Sequence, residues 1–354
     1  MSDLQLSLLA IGAMVVCAVY LYNWLQERSY RRRIQQAFGN VHDDALLKAG
    51  VESALTDGRL EPQIVPGHSG READAPAAET SPAFDPVLDY VAEIRADAPI
   101  PDSLVEDLVN KVATSGKPAR VAGFDPETGA WNEVARGEGG SYTRLGAALQ
   151  LVNRAGPVNA AQLALFCDVV RSSAERIPAM AACPDPQPAL KRAQELDAFC
   201  AGVDVAIGVN VIAEGGGMFS GAKIRELAQG AGFRLEPDGV FHYHDEHHRS
   251  QFTLDNHEPA PFLPERIRGL STKGLTLLLD VPRVAGGSEA LDRMIEIANE
   301  FAAALGGRLV DDNRAELSEA GIARIREQVR SIHAAMKARD IPAGSARALR
   351  LFSG

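Results

Sequence analysis

The chain has 354 residues, with 36 Lys and Arg against 47 Asp and Glu and a formal net charge of −11. That length accommodates two medium domains with extensions, and the acidic balance excludes a nucleic-acid partner, which needs a surplus of Lys and Arg. Cys17, Cys167, Cys183 and Cys200 form no CxxC pair, which excludes a zinc ribbon and suits buried thiols in a reducing compartment.

Residues 4–25, LQLSLLAIGAMVVCAVYLYNWL, carry no charge. A helix of roughly 20 apolar residues crosses the hydrocarbon of a bilayer, so this segment predicts a single transmembrane helix. Tyr20, Tyr22 and Trp24 cluster at its end as an interfacial belt, and Arg28, Arg31, Arg32 and Arg33 follow. The positive flank places the N-terminus outside and the rest of the chain in the cytoplasm. A cleaved leader would carry its positive charge ahead of the apolar run, not behind it. Residues 26–85 then read as a basic juxtamembrane segment and a disordered linker rich in Pro, Ala and acid.

Between 86 and 202 the pattern is β-α-β-β-β-α-α. DYVAEIRA, ARVAGFD, AWNEVA and YTRLGAALQLVNR read as strands. SLVEDLVNKVATSG, NAAQLALFCDVVRSSAERI and PALKRAQELDAFCAG read as helices. From 203 the order is β-α-β-β-β-α-β-α. VDVAIGVNVIA alternates Val203, Val205, Ile207, Val209 and Val211 against Asp204, Ala206, Gly208 and Asn210. A helix opens after Ser220, and strands follow at 240–244, 250–256 and 274–282. A helix over 288–305 ends at Gly306 and Gly307, a short strand spans 307–312, and 318–338 form a last amphipathic helix. Residues 339–354 read as a flexible tail.

This order predicts an α+β fold, an antiparallel sheet with helices on one face and an uncovered opposite face. LQLVNRAGPVNAAQLALFCDVV parallels LLDVPRVAGGSEALDRMIEIAN, so residues 86–202 are expected to be a divergent copy of 203–338, two tandem domains behind one transmembrane helix.

FHYHDEHHRS, residues 241–250, holds half of the chain's histidines. On a strand His242 and His244 point to one side, and with His257 on the neighbouring strand they offer a conceivable metal set. The reading adopted is a solvated strand end followed by a turn, with no metal and no cofactor. The three glycines of EGGGMFSG match neither a P-loop nor a dinucleotide fingerprint, and no HExxH or GxSxG is present, so no enzyme is expected. Asp311 and Asp312 read as turn or capping residues.

VNV at 209–211, QGAGF at 229–233, FHYH at 241–244, FTLDN at 252–256, LTLLLDVP at 275–282 and ALGGRLVDD at 304–312, in this order and spacing, carry a resemblance. Residues 203–338 resemble the C-terminal domain of the ZipA family, inner-membrane anchors of the tubulin-like division GTPase FtsZ. The resemblance implies a cell-division adaptor, with a shallow apolar groove on the open sheet face that binds the FtsZ C-terminal tail. It places Ala206, Gly208, Asp238, Val240, Asp255, His257, Thr276, Leu278 and Asp280 in that groove. The family's pattern has large apolar side chains at several of these places, where Asp238, Asp255, His257 and Leu278 stand here. Replacing apolar area by carboxylate weakens a hydrophobic groove at roughly 25 cal/mol per Å² and favours a more basic tail. The alternative reading is a membrane-anchored module for another division or envelope partner. The oligomeric state is not legible from the sequence.

Overall fold

The computed structural model describes residues 84–134, 142–312 and 314–353. The expected span at 4–25, its flank of Arg28, Arg31, Arg32 and Arg33, and nearly all of 26–85 lie outside the described residues. Among those described, no helix is long and apolar enough to cross a membrane. They divide into two compact units, one of residues 84–151 and 158–193, the other of 152–157 and 194–353.

The upstream unit begins with β1 (Asp89–Ala96), whose Tyr90, Ala92 and Ile94 are buried on one face. Helix α1 (Asp102–Val112) buries Leu104, Val105, Leu108 and Val112. Strands β2 (Ala119–Asp125), β3 (Ala130–Glu133) and β4 (Arg144–Gln150) follow. The short strands β5 (Val152–Asn153) and β6 (Gly156–Pro157) form a hairpin that groups with the downstream unit. Helix α2 (Ala160–Ala174) starts at a reciprocal cap: Asn159 accepts from the Gln162 N–H, and Gln162 accepts from the Asn159 N–H. Strand β7 (Ala179–Ala182) and helix α3 (Pro186–Val203) complete the region.

The antiparallel order is β3-β2-β4-β1-β7. Tyr90 meets Phe166 of α2 edge-on, so α2 covers the face of Tyr90, Ala92 and Ile94. The Tyr90 hydroxyl donates to the Pro184 carbonyl at 2.6 Å and lies 3.3 Å from Cys167 Sγ. Burial pushes the Cys183 and Cys200 thiols up to about 12, which leaves them unreactive at neutral pH.

On the opposite face Phe84 and Trp131 sit over Gly146. A Cβ built there would lie 2.4 Å from the Phe84 ring. Trp131 meets both Phe84 and Phe124 edge-on, and the Arg144 guanidinium lies over Phe124 at 4.8 Å. Arg120 pairs with the buried Asp89 at 2.8 Å beside them. These aromatic side chains cover the face around Gly146.

The downstream sheet is built from β8 (Ala206–Ala213), β10 (Phe233–Leu235), β11 (Phe241–His244), β12 (Ser250–Asn256), β14 (Gly274–Asp280) and β15 (Gly307–Val310). Its order is β10-β11-β12-β14-β8-β15, antiparallel throughout. A separate pair, β9 (Phe219–Ser220) and β13 (Ser271–Thr272), lies beside it. Ile207, Val209 and Val211 of β8 and Leu275, Leu277 and Leu279 of β14 are buried, each leucine contributing about 2 kcal/mol.

Helix α4 (Gly221–Gly230) packs against β10. Helix α5 (Gly287–Leu305) lies on β8, β12, β14 and β15 through Leu291, Met294, Ala298 and Phe301. It ends at Gly306, whose left-handed φ of 71° suits glycine. Helix α6 (Glu319–Ala338), capped by Ser318, packs on α5.

Several elements differ from the sequence reading. Val203 closes α3 and β8 opens only at Ala206, because the helical run of DAFCAGV continues past the first alternating valine. Ser220 precedes α4 without a side-chain cap hydrogen bond. Phe233 begins a strand, since Gly232 turns the chain at φ 95°. The tail folds: α7 (Ala346–Leu351) is capped by Ser345, and Leu351 and Phe352 are buried.

Candidate partner-binding groove

Alternation in β8, β12 and β14 turns a second set of residues away from α5. These are Gly208, Asn210 and Ile212; Thr253 and Asp255; Thr276, Leu278 and Asp280. All but Gly208 floor a groove of about 920 Å³ whose apolar patches are Ile212, Val240, Leu278, Val310 and Leu349. Of the residues expected in it, Asp238, Val240, Asp255, His257, Thr276, Leu278 and Asp280 line it. Ala206 and Gly208 do not. Gly208 lies under Asp312, whose Oδ1 would be 3.2 Å from a Cβ at that position.

Asp312 is the principal residue that sequence reasoning missed. The Asn210 side-chain amide donates to Asp312 Oδ1 at 2.9 Å, and Thr276 donates to Asn210 Oδ1 at 2.6 Å. Asp312 Oδ2 is buried and has no hydrogen-bond partner among the described residues. Burial raises the Asp312 carboxyl above the usual range. Burial also raises Asp255, helped by the charge of Asp238. Only the pairing of β8 with β14 and β15 brings Asn210, Thr276 and Asp312 together, and local pattern carries no sign of that. Asp311 does serve the expected turn, accepting from the Ala315 N–H at 2.8 Å.

The tail supplies one wall. Gly344 and Leu349 line the groove, and Arg283 donates to the Phe352 carbonyl at 2.8 Å. Arg154, from the β5-β6 hairpin, binds Asp204 and Asp280, each at 2.7 Å, and lies over the Phe352 ring at 5.8 Å. One guanidinium thereby fixes the start of β8, the end of β14 and the folded tail.

The histidine-rich stretch divides as its alternation predicts. Phe241 and Tyr243 face the core, Tyr243 stacking on Phe252 at 4.6 Å, and His242 and His244 stack together on the other face. His247 and His248 occupy the turn, where Asp245 accepts from the His247 and Arg249 N–H groups at 2.9 Å each. His257 is placed elsewhere, with Nδ1 3.3 Å from Thr276 Oγ1. It does not join His242.

An antiparallel sheet with helices on one face and a groove on the other is the α+β arrangement that the resemblance implies. Residues 205–328 match the family model described as ZipA, C-terminal FtsZ-binding domain. The chain is 29% identical over 126 residues to a cell division protein ZipA of Marinobacter nauticus, covering 34% of this chain and 37% of the relative. It is 27% identical over 143 residues to a cell division protein ZipA of Ectopseudomonas mendocina, covering 39% and 52%. The matches thus span from about a third to about half the length of these curated relatives.

Proposed function

We propose that the protein is a membrane-anchored cell-division adaptor without chemistry of its own. It tethers FtsZ filaments to the cytoplasmic face of the inner membrane by holding the FtsZ C-terminal tail in the groove. The observation that carries this reading is the groove itself, on the face of the sheet away from the helices, where Ile212, Val240, Leu278, Val310 and Leu349 offer apolar patches among polar floor residues, in a stretch that matches this domain family. The N-terminal helix would supply the lipid anchor, with Arg28, Arg31, Arg32 and Arg33 on the cytoplasmic side. Many weak tail sites facing one polymer would add up through effective concentration.

Asp255 and Asp312 favour a tail that carries a basic residue, because a cation beside them relieves buried negative charge. The upstream unit supports the reading of a divergent second copy. Its first strand lies between the strand before the long helix and the strand after it, as β8 does downstream. The copies diverge in the middle, where β2 rather than β3 pairs with β4.

The test is a fluorescence-anisotropy titration of the full chain, in detergent micelles, with a labelled peptide of the host FtsZ tail. Wild type should bind in the micromolar range, Leu278→Glu should lose at least tenfold, and added salt should weaken binding. Absence of binding, or binding indifferent to Leu278→Glu, would transfer the groove to another division or envelope partner.

A further inference from the structure

At the β11 end of the groove, Asp238, one of its lining residues, converges with His242 and Glu236. His242 Nε2 lies 2.9 Å from Asp238 Oδ2 and 3.8 Å from Glu236 Oε2. One ligand atom from each residue lies within 4.8 Å of the other two. Donors around a tetrahedral zinc, with bonds of about 2.0–2.1 Å, stand about 3.3 Å apart, so small side-chain shifts would close this set on an ion.

The surroundings orient these groups as an outer shell would. Ser250 Oγ lies 3.2 Å from His242 Nδ1, the contact that leaves Nε2 free to bond elsewhere. His244 Nε2 lies 3.2 Å from Glu236 Oε1, the carboxylate oxygen turned away from His242. His244 Nδ1 is buried and finds no hydrogen-bond partner among the described residues. Both histidine side chains are only 17% exposed, which separates them from the solvated His247 and His248 of the turn.

Charge points the same way. Among the described residues, Glu236 and Asp238 have ion-pair partners only in His242 and His244. Asp255 adds a third carboxylate close enough to feel Asp238. With Ser250 accepting from His242 Nδ1, the Nε2 lone pair would face two carboxylates, the arrangement in which a bound metal ion would be shared by all three groups.

We propose that Glu236, Asp238 and His242 form a binding site for a divalent transition metal of the zinc class, with His244 positioning Glu236. Nitrogen and carboxylate donors select zinc-class ions over magnesium or calcium, which take all-oxygen sets. Three protein ligands leave one position for water or an incoming group.

The site is tested on the tag-free full chain in detergent, without any peptide, so the outcome is independent of tail binding. Zinc is titrated at pH 7.5 against a chromophoric chelator. The expected result is one equivalent bound with micromolar or tighter affinity, weakened at least tenfold by His242→Ala and by Asp238→Asn. Asp238 is more than half exposed, so its substitution leaves the fold intact. The double variant His247→Ala, His248→Ala should keep the site. Zinc binding that survives His242→Ala and Asp238→Asn, or disappears with the turn histidines, overturns the proposal. Absence of micromolar binding in wild type also overturns it, leaving His242 as a hydrogen-bond partner of Asp238.

Discussion

Each of the two sheets has a glycine on the face away from its helices, Gly146 of β4 and Gly208 of β8, and the side chains over these glycines differ in character. Upstream, Gly146 is covered by the rings of Phe84 and Trp131. Downstream, Gly208 is covered by the carboxylate of Asp312, and the face remains a groove. A ring removes apolar area from water and stabilises its own unit. A half-buried carboxylate does the reverse, since burial raises its proton affinity and the charged form is held at a cost. A similar strand arrangement therefore differs in character with what overlies the glycine, two aromatic rings in one unit and one carboxylate in the other.

Thermal unfolding of the full chain, followed unit by unit by hydrogen exchange, tests that contrast. The largest effect is expected from Arg154→Ala, which removes the cation shared by Asp204 and Asp280 and leaves Asp280 the longer contact to Arg283 at 3.8 Å. It should destabilise the downstream unit by about 2–3 kcal/mol and leave upstream protection unchanged. Phe84→Ala should do the converse, lowering upstream protection by about 2 kcal/mol, below the value for a fully buried ring because Phe84 is half-buried. Equal losses in both units for either variant would break the comparison.

The smallest effect has the opposite sign. Asp255→Asn with Asp312→Asn should stabilise the downstream unit at neutral pH by less than the Arg154 variant destabilises it. The carboxamide introduced by Asp312→Asn can still accept from the Asn210 amide through its carbonyl oxygen. Because both carboxyls are raised in the folded state, the native unit binds more protons than the unfolded chain between the ordinary carboxylate range and the raised values. Their contribution to stability therefore grows as pH falls through that window and is lost as pH rises. The double variant's advantage should accordingly shrink toward zero on acidification, read as the difference between two urea-denaturation series.

Where one face is buried and the other is not, the period of two made the structure legible. Ile207, Val209 and Val211, and Leu275, Leu277 and Leu279, announced their strands and turned Thr276, Leu278 and Asp280 into the groove. Helices with strong apolar stripes, α2, α5 and α6, were equally visible. Elements without contrast were not. AMAA of β7 has no alternation, and Phe233–Leu235 is three residues long and follows a helix directly. The tail escaped because ARALRL is too short to show a period, and its burial depends on Arg283 and Arg154 from distant segments. Within the groove, long-range pairing was the missing information: Asn210 and Asp312 are 102 residues apart.

Arg154 also determines what counts as a part of this molecule. It stands 50 residues before Asp204 and 126 before Asp280, on a hairpin enclosed by sequence that belongs to the other unit. The downstream fold is therefore written in two separate stretches of the chain. A fragment that begins at residue 203 carries every strand of its sheet, yet lacks the cation that joins β8, β14 and the tail. Such an excised domain would hold the tail through Arg283 without the guanidinium over Phe352, so the groove wall of a truncated protein would be tied by fewer contacts than that of the intact one.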